Sequence, residues 1–398
     1  MAKTGVKTVK VPLAGNDAAA HAMKQVNPDV VAAYPITPQT ELMQAFAQFV
    51  ADGEVDTELI TTESEHSAMS ACVGAAAAGA RTMTATSANG FALMWEVLYI
   101  AASLRLPITM AVVNRALSGP INIHCDHSDS MGARDAGWMQ MYAENPQEAY
   151  DLWLIAIKAA ENHDVLLPAM VMYDGFIISH TMEVVEILPD EAVKEYVGPY
   201  KPAYAMLLDE KPFTVGPLDF HDYYFEHKRQ EIEGTEHAPA ALAEAAAEYA
   251  KISGRHYGPL ESYRADDADV VMVALGSTAG TARYVVDVLR EQGKAAGLMK
   301  LRTFRPFPNA EVAGALGNAK CVVVCDRVAS FGAFGSPTFM EVRSALYEVP
   351  ERPLVINYVY GLGGRDTGPD LLEQAFAEGF RVAETGEIKQ HVGYLGVR

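Results

Sequence analysis

Two glutamates and a histidine in Thr61-Thr-Glu-Ser-Glu-His-Ser67 stand directly before a run of small residues, Ala68 to Gly79, that reads as a helix. A helix of alanine and glycine packs closely against its neighbours, so an acid at its head is partly dehydrated. That suits a carboxyl which shares a proton with a ligand. The plainer alternative is that Glu63 and Glu65 only complement the positive end of the helix dipole. A second group is Arg115, in Asn114-Arg-Ala-Leu-Ser-Gly-Pro120, directly after an apolar run. A guanidinium so placed can grip a carboxylate through two parallel hydrogen bonds, which lysine does poorly. An internal ion pair is the alternative for it.

Two further turns accompany them. In Tyr34-Pro-Ile-Thr-Pro-Gln-Thr40 the prolines fix their own φ and push the residue before each toward extended geometry, so Ile36 and Thr37 are held in one shape that presents the Thr37 hydroxyl. A compatible alternative makes Thr37 the cap of the next helix with Pro38 at its first position. Thr86-Ser-Ala-Asn-Gly-Phe91 is a small polar turn entering a helix; it can offer backbone donors to a ligand, or be a plain cap by Ser87 or Asn89. The string His124-Cys-Asp-His-Ser-Asp129 invites a metal reading through His124, Asp126 and His127, as in a metal-dependent hydrolase. Adjacent ligands without a second pair match no usual zinc spacing, so no metal site is expected on this chain.

The elements that must position these groups alternate. Asp29 to Tyr34, Ala80 to Thr86, Pro107 to Val113 and Leu166 to Tyr173 are short apolar runs that read as parallel strands covered on both faces. Between them Gln39 to Ala51, Glu65 to Gly79, Phe91 to Arg105 and Pro146 to His163 read as helices, which predicts a doubly wound α/β sheet. In such a sheet ligands bind beyond the carboxyl ends of the strands, where all four turns lie. From Pro189 to about Arg264 the pattern dissolves into Pro, Tyr, Gly and charged residues and then a helix from His221 to Ile252. That stretch is either an ordinary connection or an arm that wraps a partner. A second, smaller α/β block of roughly four or five strands follows from Asp269. The expected division is therefore 1–188, 189–264 and 265–398.

Acidic residues outnumber basic ones by 51 to 31 and no Lys/Arg-rich run occurs, which argues against nucleic acid and against an anionic membrane surface as partners. The first ten residues lack an apolar core of signal-peptide length, and no segment approaches ~18 uninterrupted apolar residues, so the expectation is a cytoplasmic protein. Cys72, Cys125, Cys321 and Cys325 have no cluster-binding spacing and are expected to be buried small hydrophobes. No phosphate-binding G-x-x-x-x-G-K-[ST] loop, no G-x-G-x-x-G after a first strand and no G-x-S-x-G elbow is present, and Gly361-Leu-Gly-Gly364 is a lone glycine turn.

Taken together, Tyr34-Pro-Ile-Thr-Pro38, Glu63-Ser-Glu-His-Ser-Ala68, Thr86-Ser-Ala-Asn-Gly90, Arg115 with Ser118-Gly-Pro-Ile-Asn-Ile123, Asp126-His-Ser-Asp129 and Arg302-Thr-Phe-Arg-Pro-Phe-Pro308 resemble the α subunit of the pyruvate:ferredoxin oxidoreductase (pyruvate synthase) family, over nearly the whole chain and in one order. The resemblance implies a thiamine-diphosphate-binding fold: a pyrimidine-binding α/β domain followed by a transketolase C-terminal-like domain. It places the activating glutamate on Glu65, the substrate-proximal threonine on Thr37 and the carboxylate-binding arginine on Arg115, with Pro35, Ile36, Ser87 and Asn89 beside the cofactor. Glu65 would hydrogen-bond N1′ of the aminopyrimidine, and Arg115 with Thr37 would anchor the 2-oxoacid. Coenzyme A would take the acyl group and ferredoxin the electrons. Thiamine enzymes hold the diphosphate and Mg2+ with Gly-Asp-Gly; here only Tyr173-Asp-Gly-Phe176 comes near, with Asp174 read as a turn residue. The resemblance therefore implies a β subunit carrying the diphosphate and Mg2+ site, with γ and δ-type subunits and 4Fe–4S clusters outside this chain. Related enzymes for branched-chain 2-oxoacids or 2-oxoglutarate, and a non-catalytic transketolase-like scaffold, are the alternatives.

Overall fold

The computed structural model describes residues 6–208, 211 and 213–398. The first five residues of the expected N-terminal block, and 209, 210 and 212 of the expected arm, lie outside the described residues. A seven-stranded sheet dominates the first part, with strand order Thr303–Arg305, Met139–Tyr142, Ala169–Asp174, Thr109–Asn114, Thr82–Thr86, Val30–Ala33, Glu58–Thr61. All are parallel except the first, which runs antiparallel to Met139–Tyr142. The central strands Thr82–Thr86, Thr109–Asn114 and Ala169–Asp174 are buried along their whole length, as helices on both faces require.

A second sheet of six strands has the order Val392–Tyr394, Leu354–Val359, Cys321–Asp326, Val270–Ala274, Ala296–Leu301, Leu260–Tyr263. It exceeds the four or five strands expected because its edges are weak in sequence: Leu260–Tyr263 has two adjacent polar residues and no alternation, and Val392–Tyr394 is too short to show a period. Glu58–Thr61 and Met139–Tyr142 escaped the reading for the same reason, being four residues each. Another difference lies in the span Phe91 to Arg105, which is two helices, Ala88–Leu93 and Trp95–Ser103, meeting at Met94.

The two blocks interlock. Thr303–Arg305 leaves the second block to close the first sheet, and Val9–Ala14 pairs with Met182–Ile187 so that both ends of the first block meet. The helix Tyr224–Ser253 returns over Pro146–Ala160, where Arg255 forms a fork with the buried Asp151 at 2.6 and 2.8 Å. Beneath it Lys300, only 1% exposed, lies 2.5 Å from both Glu144 and Glu148. All four cysteines are buried and free. Among the described residues no helix is long and apolar enough to cross a membrane.

Candidate active site

Because the strands Glu58–Thr61, Val30–Ala33, Thr82–Thr86 and Thr109–Asn114 are adjacent and parallel, the loops that follow them emerge side by side on one edge of the sheet. Those loops begin the four segments singled out above.

Glu65 is the first residue of the helix Glu65–Ala78. Ser64 caps it, its hydroxyl accepting from the Ser67 amide at 3.2 Å, and the extended Ser64 backbone turns the chain so that Glu65 faces inward while Glu63 stays outside on the Ser67 hydroxyl. Glu65 is 6% exposed. Its carboxyl lies over Gly90, where an added Cβ would stand 2.4 Å from Oε1. Among the described residues this carboxylate accepts no hydrogen bond, so the group is held by packing and keeps its oxygens free. His66, by contrast, turns outward onto Glu96 at 2.7 Å.

Arg115 is 8% exposed and makes no ion pair among the described residues, which removes the internal-pair alternative. Its Nε donates to the Asn122 carbonyl at 3.0 Å and its Nη1 to the Thr37 carbonyl at 2.9 Å. A buried cation with no counter-charge costs several kcal/mol, roughly, and neutral carbonyls offset only part of it, so an anion is the natural complement of this position. Thr37 itself is exposed and does not cap the following helix, which starts at Thr40 with Gln39 before it. Gln39 locks the turn: its amide donates to the Ile36 carbonyl at 2.8 Å and its Oε1 accepts from the Ile36 amide at 3.2 Å. Pro35 is exposed and Ile36 half-buried beside it.

Ser87 precedes the short helix Ala88–Leu93 without capping it. Its hydroxyl, and that of Thr86, are buried with no partner. Asn89 reaches across to the next loop, its Oδ1 accepting from the Ser118 amide at 3.0 Å and hydroxyl at 2.8 Å. The residue that ties these loops together is Asp129. Its carboxylate accepts from the amides of Ala88 and Arg115 at 3.0 Å, from Asn114 Nδ2 at 2.8 Å and from the Ser130 amide at 2.7 Å. Burial pushes this carboxyl up to about 6 against those hydrogen bonds. Sequence reading saw Asp129 only as part of a string. Gln39, Gly90, Asn114 and Asn122 were missed as well, since nothing in their types announces a role that exists only when loops distant in sequence meet.

The sequence-suggested metal string scatters. His124 stacks on Phe176 with centroids 5.2 Å apart, Asp126 accepts from the Ser128 and Gly363 amides, and His127 turns inward to Asp174 at 2.7 Å. Asp174 is not the turn residue expected: it ends the buried strand Ala169–Asp174 and also accepts from Arg327 Nη1 at 3.0 Å and the Ser277 amide at 3.1 Å. Burial works to raise its pKa, but the Arg327 charge and the His127 bond hold it well below the usual carboxylate range. Cys125, His127 and Asp174 do converge, yet the Arg327 guanidinium is bonded to both Asp174 and the Cys125 sulfur, and burial pushes that thiol up, away from the thiolate a metal needs.

The arrangement can present one unengaged acid and one unpaired cation on a common edge, next to unpartnered hydroxyls. These features fit the aminopyrimidine end of thiamine diphosphate: a flat ring with donor and acceptor nitrogens matches the free Glu65 oxygens and the unpartnered Ser87 hydroxyl, and the missing side chain of Gly90 leaves the room that the Glu65 carboxyl occupies.

Known proteins resemble the chain over most of its length. Residues 21–247 match the model of the pyruvate flavodoxin/ferredoxin oxidoreductase thiamine-diphosphate-binding domain, and 268–372 that of the pyruvate:ferredoxin oxidoreductase core domain II. The chain is 58% identical to pyruvate synthase subunit PorA of Thermotoga maritima, covering 98% of each, and 45% identical to that of Pyrococcus furiosus over the same shares. It is also 45% identical to the ketoisovalerate oxidoreductase subunit VorA of Pyrococcus abyssi, over 98% of this chain and 99% of that one. In fold it is similar to a 2-oxoglutarate:ferredoxin oxidoreductase from Magnetococcus marinus, with a TM-score of 0.71 and 19% identity over 93% of this chain and 65% of that one. A split-gene transketolase is similar at a TM-score of 0.52 and 12% identity, over 94% and 96%.

Proposed function

The chain belongs to the pyruvate:ferredoxin oxidoreductase family, as a subunit of a multi-subunit oxidoreductase, and from that premise we propose that it supplies the aminopyrimidine and substrate-carboxylate contacts for oxidative decarboxylation of pyruvate. The observation that carries this reading is the pairing of a buried, unengaged Glu65 with a buried Arg115 that has no carboxylate partner. The 58% identity to the pyruvate synthase subunit of Thermotoga maritima, against 45% to the ketoisovalerate subunit, favours pyruvate over branched 2-oxoacids.

When bound, thiamine diphosphate supplies a nucleophilic carbon for the ketone of the 2-oxoacid and an electron sink for loss of CO2. Glu65, buried and free of other hydrogen bonds, would hold N1′ of the pyrimidine and share a proton with it. Pro35 and Ile36 would form the wall beside the bound pyrimidine, with Ser87 and Asn89 next to it. Arg115 holds the substrate carboxylate with Thr37 at its side, fixing the ketone in one orientation. The diphosphate and its Mg2+ belong to a β subunit: Asp174, whose Asp-Gly string comes nearest to such a site, is committed to His127, Ser277 and Arg327. The 4Fe–4S clusters belong to partners as well, a δ-type chain with ferredoxin-like clusters among them beside a γ-type chain, because the four cysteines here have no cluster-binding spacing. Ferredoxin takes the electrons and coenzyme A the acyl group.

The test is pyruvate-dependent viologen reduction by the anaerobically assembled complex. Glu65→Gln should lower kcat by on the order of 10²–10⁴, the usual weight of a proton-transfer group. Activity equal to that of the unaltered complex rejects the mechanism.

A further inference from the structure

Gly361-Leu-Gly-Gly364 is a turn of left-handed glycines. It follows strand Leu354–Val359 of the second sheet and grips the loop that carries the substrate-anchoring arginine. Asn122 Nδ2 donates to the Gly363 carbonyl at 3.0 Å, the Gly363 amide donates to Asp126 Oδ2 at 3.2 Å, and the Gly364 amide donates to the Cys125 carbonyl at 2.7 Å. The same Asn122 offers its backbone carbonyl to Arg115 Nε at 3.0 Å. Its Oδ1 accepts from the His124 amide at 2.7 Å, and the Ala116 amide closes the loop onto the His124 carbonyl at 2.9 Å.

Only glycine fits this turn. Gly363 and Gly364 have φ of +59° and +76°, and a Cβ on them would lie 2.4 Å from Asn122 Nδ2 and 2.4 Å from His124 Cβ. The close approach and the left-handed backbone are both needed for the turn to reach the loop with its main chain. A guanidinium held by two carbonyls on separate loops can only be as well placed as those loops are. One of them, 116–124, is exposed over much of its length, with Ile121 78% exposed. Without the turn, and apart from Arg115 itself, this loop is tied to the first block by Asn89 at Ser118, by Ser128 at Leu117 and by the His124 ring against Phe176, and none of these bonds the Asn122 side chain.

We infer that the 361–364 turn, acting through Asn122, is a positioning device by which the second block sets Arg115 for the 2-oxoacid carboxylate. The inference rests on the reading of Arg115 as carboxylate anchor. Neither Gly363 nor Asn122 touches substrate through its side chain; both are positioning residues. Their loss shows in substrate affinity rather than in the chemical step.

The experiment measures kcat and KM for pyruvate, and KM for coenzyme A, in assembled complexes carrying Asn122→Ala, Gly363→Ala, both together, and Arg115→Ala. Each of the first two should raise KM for pyruvate roughly 5- to 10-fold, the weight of one neutral hydrogen bond, with kcat changed far less and KM for coenzyme A unmoved. The double variant should fall well short of the product of the singles, because the added methyl at Gly363 acts by displacing an Asn122 side chain that is already gone. An unchanged KM for pyruvate in Asn122→Ala, alongside a raised one in Arg115→Ala, overturns the inference and spares the anchoring reading. Multiplicative single effects overturn it too. An unchanged KM in Arg115→Ala overturns the anchoring reading itself, and the inference with it. If Gly363→Ala does not assemble, Asn122→Ala decides.

Discussion

A single methyl group at Gly90 would stand 2.4 Å from Oε1 of Glu65, closer than any real contact, so the carboxyl would have to move. Gly90→Ala should therefore lower kcat by on the order of 100-fold, the usual loss when a reacting group is displaced by about 1 Å. Steady-state kinetics of the assembled complex check this, and a normal kcat would show that the position of Glu65 is not critical. Gly90 belongs to the motif read in the sequence, but its function there was invisible. A glycine in Ser-Ala-Asn-Gly reads as a turn residue until the helix beginning at Glu65 is brought against it. The two acids before the alanine-rich helix were visible in the sequence, and it was the family resemblance that pointed to Glu65 rather than Glu63. Which of Glu63 and Glu65 turns inward was decided by the Ser64 cap and the phase of the first helical turn.

The strand Ala296–Leu301 and the helix Pro146–Ala160 meet through charge rather than apolar contact alone. Lys300 bridges Glu144 and Glu148, and Arg302 donates to Glu148 at 3.0 Å and Glu261 at 3.0 Å. Removing the lysine leaves Glu144 with Arg283, whose Nη1 donates to it at 2.7 Å, and Glu148 with Arg302, so Lys300→Met, which keeps most of the volume, should destabilise the chain by about 3 kcal/mol through the buried charge left under-compensated. Urea unfolding checks it, and a change below about 1 kcal/mol would show that Arg283 and Arg302 suffice. The sequence showed the apolar strand and the helix, yet not their pairing. A lysine ending a buried run looks like a strand terminus unless the facing acids are known.

Across the whole molecule the two blocks are joined at Asp174, where His127 from the first and Ser277 and Arg327 from the second converge. Arg327→Met should destabilise the protein by about 3–5 kcal/mol at neutral pH, because Asp174 keeps a buried charge with one partner fewer. The sign of the pH dependence follows from the depressed pKa of Asp174. In the native chain the stability from this carboxylate is present above its unfolded pKa of about 4 and is lost as pH falls toward the folded value. The variant lacks most of that contribution, so the gap between the two should narrow as the solution is acidified below about pH 4. Calorimetry at several pH values measures it; a gap that widens in acid would contradict the assignment of Asp174 as the charged joint.

The sequence by itself determined the α/β class, the alternation of strands and helices, the family, and the identities of Glu65, Thr37 and Arg115 as the residues to watch. Each of these is written locally, in a period, a turn or a short motif. What the tertiary structure decided was contact between segments far apart in the chain: Thr303–Arg305 closing the first sheet, Asp174 leaving the role of a turn residue for that of a buried joint, Asp129 gathering three loops, and Gly363 reaching Asn122. Most of those contacts run through backbone amides and carbonyls, which every residue possesses, so no pattern of side chains could have announced them.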